Sequence, residues 1–179
     1  MKTISTPLKF LVISGALFFF FSGCSKTNYY ALTPEDLAWV VYSDGNLLHF
    51  KNPAGNVNTY YTFRKTRSYT NTGDSYYEET GISFKLQNDT TNSGGYFYVT
   101  KKESGTVITL TWPHFTGTMF ISSTIAVTDT IGGKIYHDIY VGNSPDVTGD
   151  KYVQTIYYSR QAGMVQFTDR DAVTWVKTN

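Results

Sequence analysis

Apolar and polar residues alternate along most of the chain after residue 56. Within residues 82–87, Ile, Phe and Leu alternate with Ser, Lys and Gln. A period of two is typical of a strand with one buried face. Similar segments, rich in the strand-favouring residues Thr and Tyr, span residues 57–63, 96–101, 107–112, 125–130, 134–141, 152–159, 164–168 and 173–177.

The links between these segments are short and have the composition of hairpin turns. Gly132-Gly133 is typical of a two-residue turn, residues 103–105 suit a bulged hairpin, and residues 52–56 a longer loop. Short links favour antiparallel neighbours, because parallel strands need long crossovers. We therefore predict an all-β fold, an antiparallel meander of about ten strands. It would form either a lipocalin-like barrel or a two-sheet sandwich.

One segment near the N-terminus has the signals of a helix instead. Thr33 suits the N-cap, Pro34 the first helical position, and Asp36 the third position, where it completes a capping box. Gly45 is available to end the helix in a left-handed conformation. The pattern predicts one short N-terminal helix and no other.

The first 23 residues have the pattern of a targeting segment. Lys2 and Lys9 accompany an apolar run over residues 10–21. As a helix this run would be roughly 18 Å long, which is short of the ~30 Å hydrocarbon core of a bilayer. A basic start followed by a short apolar run predicts a secretory signal peptide and not a membrane span.

Small residues precede the one cysteine of the chain, in the order Ser22-Gly23-Cys24. This resembles the lipobox of bacterial lipoproteins. The resemblance implies cleavage before Cys24 and acylation of Cys24, with palmitate among its chains. Several acyl chains give stable membrane attachment where one is marginal. By the same resemblance, Ser25 in place of Asp implies sorting to the outer membrane.

These patterns divide the chain into three parts. Residues 1–23 are predicted to be a signal peptide that is removed, residues 24–31 a tether, and residues 32–179 a single all-β domain. The stretch from Tyr157 to Phe167, followed by Trp175, resembles small uncharacterised lipoproteins of Gram-negative bacteria. That resemblance supports an all-β domain at the cell envelope and implies no catalytic residues.

Charge and composition exclude several classes of function. The chain has 15 Lys and Arg against 14 Asp and Glu, so no basic excess favours nucleic acid as a partner. One cysteine cannot form an internal disulfide or a cysteine-based zinc site. The three histidines, His49, His114 and His137, are far apart and lack metal-ligand spacing. We predict no metal and no cofactor.

His137 is the histidine with the most informative context. In a strand it shares a face with Ile135 and Ile139, whereas Asp138 points the other way. If the apolar face is the core, His137 is a buried histidine bonded to a neighbour. The functional alternative is a polar anchor in an internal pocket.

Asp169-Arg170-Asp171 offers two carboxylates close together. Glycoside hydrolysis needs two carboxyl groups across a sugar. The same residue types are also common in turns, and this triplet lies between two predicted strands. The turn interpretation is favoured, and the hydrolytic one is kept as a hypothesis.

Tyrosines occur in adjacent pairs within predicted strands. One ring of each pair should point to the core and the other outward. Outward rings either stabilise the sheet through cross-strand contacts or form a binding face, because tyrosine combines a flat apolar ring with a polar tip. Possible ligand contacts are therefore Tyr60, Tyr61, Tyr157 and Tyr158, together with His137.

We predict a lipid-anchored lipoprotein of the cell envelope that acts as a binding module and not as an enzyme. In one form the interior carries a small apolar ligand, as in lipocalin-like barrels. In another, exposed tyrosines contact a glycan or an envelope protein. The alternative from a different class is an envelope hydrolase that acts on glycans through Asp169, Asp171 and His137.

Overall fold

A computed structural model describes residues 27–90, 94–115, 118–121, 124–144 and 153–178. Within these ranges the chain forms one helix and a twelve-stranded sheet. The helix is α1 (Pro34–Leu37). The strands are β1 (Asn28–Tyr30), β2 (Leu47–Lys51), β3 (Val57–Thr72), β4 (Ser75–Leu86), β5 (Gly94–Lys102), β6 (Gly105–Thr111), β7 (Met119–Phe120), β8 (Val127–Ile131), β9 (Lys134–Asn143), β10 (Val153–Ser159), β11 (Gly163–Asp169) and β12 (Thr174–Lys177).

The sheet consists of two antiparallel meanders. Along the sheet the strand order is β7-β6-β5-β4-β3-β2-β12-β11-β10-β9-β8, so β2 and β12 join the two meanders. That junction is short, because its register contains only the pairs Val176 with Lys51 and Lys177 with Phe50. β1 pairs with β4 in parallel. The predicted all-β antiparallel fold is confirmed.

Strand alternation follows the sequence pattern closely. In β5, Phe97 and Val99 are fully buried, whereas Tyr96 and Tyr98 are half-buried on the other face. The predicted two-residue turn at Gly132-Gly133 links β8 to β9, and both glycines have positive φ. Such turns need this conformation to match the twist of the strands.

The sheet curls into a half-barrel, so that strands far apart in the strand order approach each other. Met119 of β7 packs against Gly142 of β9, where an added Cβ would lie 2.6 Å from the Met119 sulfur. Nearby, the Val153 amide of β10 donates to the His114 carbonyl at 3.0 Å. A side chain at position 142 would push these two regions apart.

Aromatic side chains fill the interior of the half-barrel. Phe50 and Tyr60 come from the first meander, and Phe167 from the second. Ring centroids lie 5.2 Å apart for Phe50 and Phe167, and 4.7 Å apart for Tyr60 and Trp112. The largest fully buried side chains also include Trp112, Tyr158, Phe84 and Phe97. The inner face is therefore a packed aromatic core that spans both meanders.

Two buried tyrosines attach the segment after α1 to the second meander. The Met164 amide donates to the Tyr42 hydroxyl, and the Tyr158 hydroxyl donates to the Trp39 carbonyl at 2.8 Å. Burial raises the pKa of both Tyr42 and Tyr158 above the usual value. Both hydroxyls therefore stay protonated, and Tyr158 can act as a donor at all physiological pH values.

The capping box of α1 forms as predicted, but the helix ends earlier. The Asp36 amide donates to the Thr33 hydroxyl at 3.2 Å, and the Thr33 amide donates to the Asp36 carboxylate at 2.9 Å. The helix stops at Leu37, so the prediction that Gly45 ends it is wrong. Gly45 lies in the turn before β2, where its amide donates to the Thr62 carbonyl at 2.9 Å. The chain after Leu37 instead packs along the sheet.

Three strand boundaries differ from the sequence prediction. β1 lies within residues 24–31, which were predicted to be a tether. Its rings stack on β4, with centroids 5.1 Å apart for Tyr29 and Tyr76. β2 was not predicted. β3 was predicted over residues 57–63 but continues to Thr72.

Asp36 does more than cap the helix. Its carboxylate accepts from the Thr106 hydroxyl at 2.6 Å and from the Lys101 ammonium at 3.1 Å. Burial alone would raise the pKa of Asp36, but the hydrogen bonds from Thr106, Thr33 and Lys101 outweigh burial and hold it well below the usual value. One carboxylate therefore joins α1 to the β5–β6 hairpin.

Replacing Asp36 with Asn should lower the free energy of unfolding by about 1–2 kcal/mol at pH 7, because charged hydrogen bonds and the cap are weakened. The folded-state pKa of Asp36 is depressed. Its contribution is therefore present above the unfolded-state pKa, about 4, and is lost as the pH falls. Urea unfolding at pH 7 and pH 3 should show the difference from wild type shrinking at pH 3.

The matched control is Glu35→Gln, which changes a neighbouring acid whose side chain is 81% exposed. Its effect should stay below about 0.5 kcal/mol. An Asp36→Asn variant as stable as wild type at pH 7 would contradict the role given to this carboxylate.

Candidate functional site

A large concave surface lies on the outer face of the first meander. We call it the outer groove. Its volume is about 720 Å³, and it crosses β3, β4, β5, β6 and β7. Its lining combines aromatic rings, hydroxyls and one charge of each sign: Thr70, Thr72, Tyr77, Glu79, Tyr96, Tyr98, Thr100, Lys102, Val107, Thr109 and Phe120.

The pairing of β4, β5, β6 and β7 brings the central residues of the outer groove together. Gly81 of β4 lies opposite Tyr98 of β5, which lies opposite Thr109 of β6, and Thr109 lies opposite Phe120 of β7. A Cβ at position 81 would overlap the ring of Tyr98, so the glycine leaves room for that ring against the sheet. Tyr96 lies on the same face, with its ring centroid 5.0 Å from that of Tyr98.

The polar side chains of the outer groove are mostly hydroxyls. The Thr100 hydroxyl donates to the Glu79 carboxylate at 2.8 Å. Lys102 supplies the one cation of the lining and Glu79 the one anion. The formal charges therefore cancel. The surface offers flat apolar rings, hydroxyl donors and acceptors, and no strong field to select a charged ligand.

No group of three or more potential metal ligands occurs among the described residues. In the same part of the chain, no helix is long and apolar enough to cross a membrane. The outer groove contains no histidine, cysteine or serine.

The two tyrosines of the Tyr60-Tyr61 pair lie on opposite faces, as predicted. Tyr60 is 2% exposed and packs in the aromatic core. Tyr61 is half-buried on the outer face, with its ring centroid 5.6 Å from that of Phe63. Tyr61 shares a face with the outer groove but is not part of its lining.

The Tyr157-Tyr158 pair belongs to the second meander. Tyr158 is fully buried, and its ring stacks on Phe97 with centroids 4.9 Å apart. Tyr157 is half-buried and packs beside Ile131 and Val165. The structure therefore does not bring this pair to the outer groove. Cys24, the predicted lipid-attachment residue, lies outside the described residues.

The prediction that His137 is buried is wrong. His137 is exposed, and its Nδ1 lies 3.4 Å from the Thr128 hydroxyl oxygen. Ile135 on the same face is 60% exposed, and Ile139 is fully buried. The apolar pattern continues along β9, but Ile139 packs with Ile131 and Val165 in a small cluster separate from the aromatic core. Ile135 and His137, nearer the β8–β9 turn, are exposed.

Asp169 and Asp171 belong to the turn between β11 and β12, and both line one small cavity. Oδ1 of Asp169 accepts from the amides of Asp171 and Val173 at 3.0 Å each. Oδ2 of Asp169 accepts from the Trp175 indole at 2.8 Å. Asp171 is exposed. The favoured turn interpretation accounts for both residues.

The sequence analysis did not predict that one surface contains Tyr77, Tyr96, Tyr98 and Phe120. The sequence does indicate that Tyr96 and Tyr98 lie on the same face of the sheet, because residues two apart in a strand share a face. Phe120 could not be placed, since its position opposite Thr109 depends on the register of a two-residue strand. The role of Gly81 depends on the same register.

No protein-family model matches the chain, and no match is found among curated proteins or solved structures. The argument about function therefore rests on the residues and their geometry.

Replacing Asp169 with Ala should lower the free energy of unfolding by about 1–3 kcal/mol, because three donors lose their acceptor. Asp171→Ala should change it by no more than about 0.5 kcal/mol. Asp169→Asn keeps one carbonyl acceptor and should recover part of the loss. Denaturant unfolding of the three variants measures this. Equal effects at both positions would contradict the assignment of Asp169 to the turn.

Proposed function

We propose that the protein is a lipid-anchored, non-enzymatic binding module of the cell envelope, and that its outer groove binds a neutral glycan. The observation that carries the proposal is the Tyr98 ring laid over Gly81, with Tyr96 beside it. A flat aromatic surface held by the sheet can stack on the apolar face of a sugar ring. Its order is established before the ligand arrives, which limits the entropic cost of binding.

The polar lining supports a glycan over an apolar ligand. Thr70, Thr72, Thr100 and Thr109 place hydroxyls around the rings. A hydroxyl both donates and accepts, which matches the hydroxyls of a saccharide. The cancelling charges of Glu79 and Lys102 favour a ligand without net charge.

The dimensions suit an oligosaccharide. From β3 to β7 the outer groove crosses four strand spacings, which is roughly 19 Å at about 4.8 Å each. A ligand lying across the strands can therefore touch the rings of Tyr77, Tyr98 and Phe120 in turn. Sheet faces of other all-β folds bind oligosaccharides in a comparable manner.

Two alternatives receive less support from the same structure. A carrier of small apolar molecules needs an internal cavity of several hundred Å³, whereas Phe50, Trp112 and Phe167 fill the described interior. A glycan hydrolase needs two convergent carboxylates, whereas Asp169 is committed to three donors. A protein partner at the outer groove is the outcome to consider if no glycan binds.

The lipid anchor is proposed from the N-terminal sequence. The basic start, the short apolar run and Ser22-Gly23-Cys24 support acylation of Cys24 and display on the outer membrane. Since β1 begins at Asn28, few residues separate Cys24 from the sheet. The anchor would therefore keep the binding module close to the membrane surface.

Tyr98→Ala should weaken glycan binding at least about tenfold, because central aromatic anchors carry a large share of binding energy. Affinity electrophoresis against a panel of neutral polysaccharides, followed by calorimetry on the best one, measures this. Tyr69→Ala is the matched control: Tyr69 is 56% exposed and lies opposite the inward-facing Glu78, away from the outer groove. Wild-type protein that binds no neutral glycan would contradict the proposal.

Cys24→Ala should abolish incorporation of an alkyne-tagged palmitate analogue in growing cells, because the chain has no other cysteine. The variant should also retain residues 1–23 and migrate as a larger precursor. Ser25→Asp should keep the label but move the protein to the inner-membrane fraction. Label that persists in Cys24→Ala, or is missing from wild type, would contradict the anchor.

A further inference from the structure

A second, smaller cavity lies where the β6–β7 connection meets the β11–β12 turn. Its volume is about 230 Å³. Its walls include the rings of Tyr60, Phe167 and Trp175 together with His114, and Asp169 and Asp171 also line it. We call it the end cavity. It shares no lining residue with the outer groove.

Buried polar side chains gather around Tyr60 beside the end cavity. Nε2 of His114, which lines the cavity, is a buried side-chain atom without a hydrogen-bond partner among the described residues. Trp112 is fully buried, and its ring centroid lies 4.7 Å from that of Tyr60. Buried polar groups in folded proteins are normally satisfied, so unsatisfied ones indicate a bound water or ligand.

His114 has an unusual backbone conformation and lies beside a buried carboxylate. Its backbone has φ +63°, an uncommon conformation for a residue with a side chain. Nε2 lies 3.0 Å from a carboxylate oxygen of Asp89, whose side chain is 1% exposed. The two atoms are close but not aligned for a hydrogen bond. Nε2 of His114 therefore lies beside the Asp89 carboxylate without forming a hydrogen bond with it.

Tyr60 supplies a further donor. Burial raises its pKa, the neighbouring Trp112 N–H opposes this rise, and the negative charges of Asp89 and Asp169 add to it. The hydroxyl therefore stays protonated and can donate to a ligand. The same two carboxylates disfavour an anion at this position.

We propose that the end cavity binds a single neutral sugar unit. Acceptor oxygens of the sugar would take hydrogen bonds from Tyr60 and His114, and its ring would pack between the aromatic walls. Asp171, exposed beside the turn, would accept from a sugar hydroxyl. The proposal does not depend on the outer groove, because the two sites share no residue.

Indole N–H signals in nuclear magnetic resonance spectra give a direct test, since the chain has three tryptophans. Full-length ¹⁵N-labelled protein is titrated with glucose, galactose, mannose and N-acetylglucosamine. At least one sugar should shift the signals of Trp175, which lines the end cavity, and of Trp112, whose ring packs on Tyr60. The signal of Trp39, which packs on Tyr140, should not move. If no sugar shifts Trp112 or Trp175, the proposal is overturned.

Tyr60→Phe keeps the core ring and removes only the hydroxyl, so it should weaken sugar binding at least about tenfold. His114→Asn, which tolerates positive φ, should weaken binding as well. Tyr158→Phe removes a buried hydroxyl that bonds Trp39 elsewhere in the core; it should lower stability but keep the affinity. Equal affinities for Tyr60→Phe and wild type would overturn the proposal.

The Tyr98→Ala variant distinguishes sugar binding at the end cavity from sugar binding at the outer groove. It should leave the shifts of Trp112 and Trp175 unchanged even if glycan binding at the outer groove is lost. If Tyr98→Ala abolishes the shifts, the single sugar binds at the outer groove and the end cavity is not a site.

Discussion

The structure depends on one aromatic cluster that spans the two meanders. The backbone ladder between β2 and β12 is too short to hold the halves of the sheet together by itself. Aromatic contacts hold the two meanders together in addition. Phe167 packs on Phe50 and Tyr60, and Tyr158 packs on Phe97. Each fully buried side chain of this size contributes about 1.5–3 kcal/mol, so a few such contacts match the whole stability of a typical domain. The curl of the sheet follows, because both inner faces must reach the same core.

Because aromatic side chains fill the interior, the concave surface of the outer groove lies on the outer face of the sheet. The inner face holds the rings that stabilise the fold, and the outer face of the first meander remains open, with Tyr96, Tyr98 and Phe120 across it. Gly81 links the two roles: the absence of a side chain there lets Tyr98 lie against the same β4 strand whose inner face carries Ile82 and Phe84. At the end cavity, the core residue Tyr60 forms part of the cavity wall. Both proposed sites thus arise from a core made of aromatic residues.

Much of the fold could be predicted because its causes are local. Alternation along β5 and β6, the Gly132-Gly133 turn and the Thr33–Asp36 capping box each depend on neighbours within a few residues. The failures depend on distant partners. Whether His137 is buried depends on which surface covers β9, and where α1 ends depends on the bonds that Trp39 and Tyr42 make with β10 and β11. The outer groove was missed for the same reason, since the alignment of Gly81, Tyr98 and Phe120 requires the register of four strands.

Carbene footprinting with mass spectrometry, with and without the glycan that binds best, tests whether the glycan binds on the outer face. Bound glycan should protect the peptide containing Tyr96 and Tyr98 from labelling, whereas the peptide containing Tyr69 should stay equally labelled. Buried rings such as Phe50 and Phe97 should remain unlabelled in both states, because the interior is already packed. Protection at the exposed β8–β9 hairpin, or no protection at Tyr96 and Tyr98 with glycan bound, would contradict recognition on the outer face.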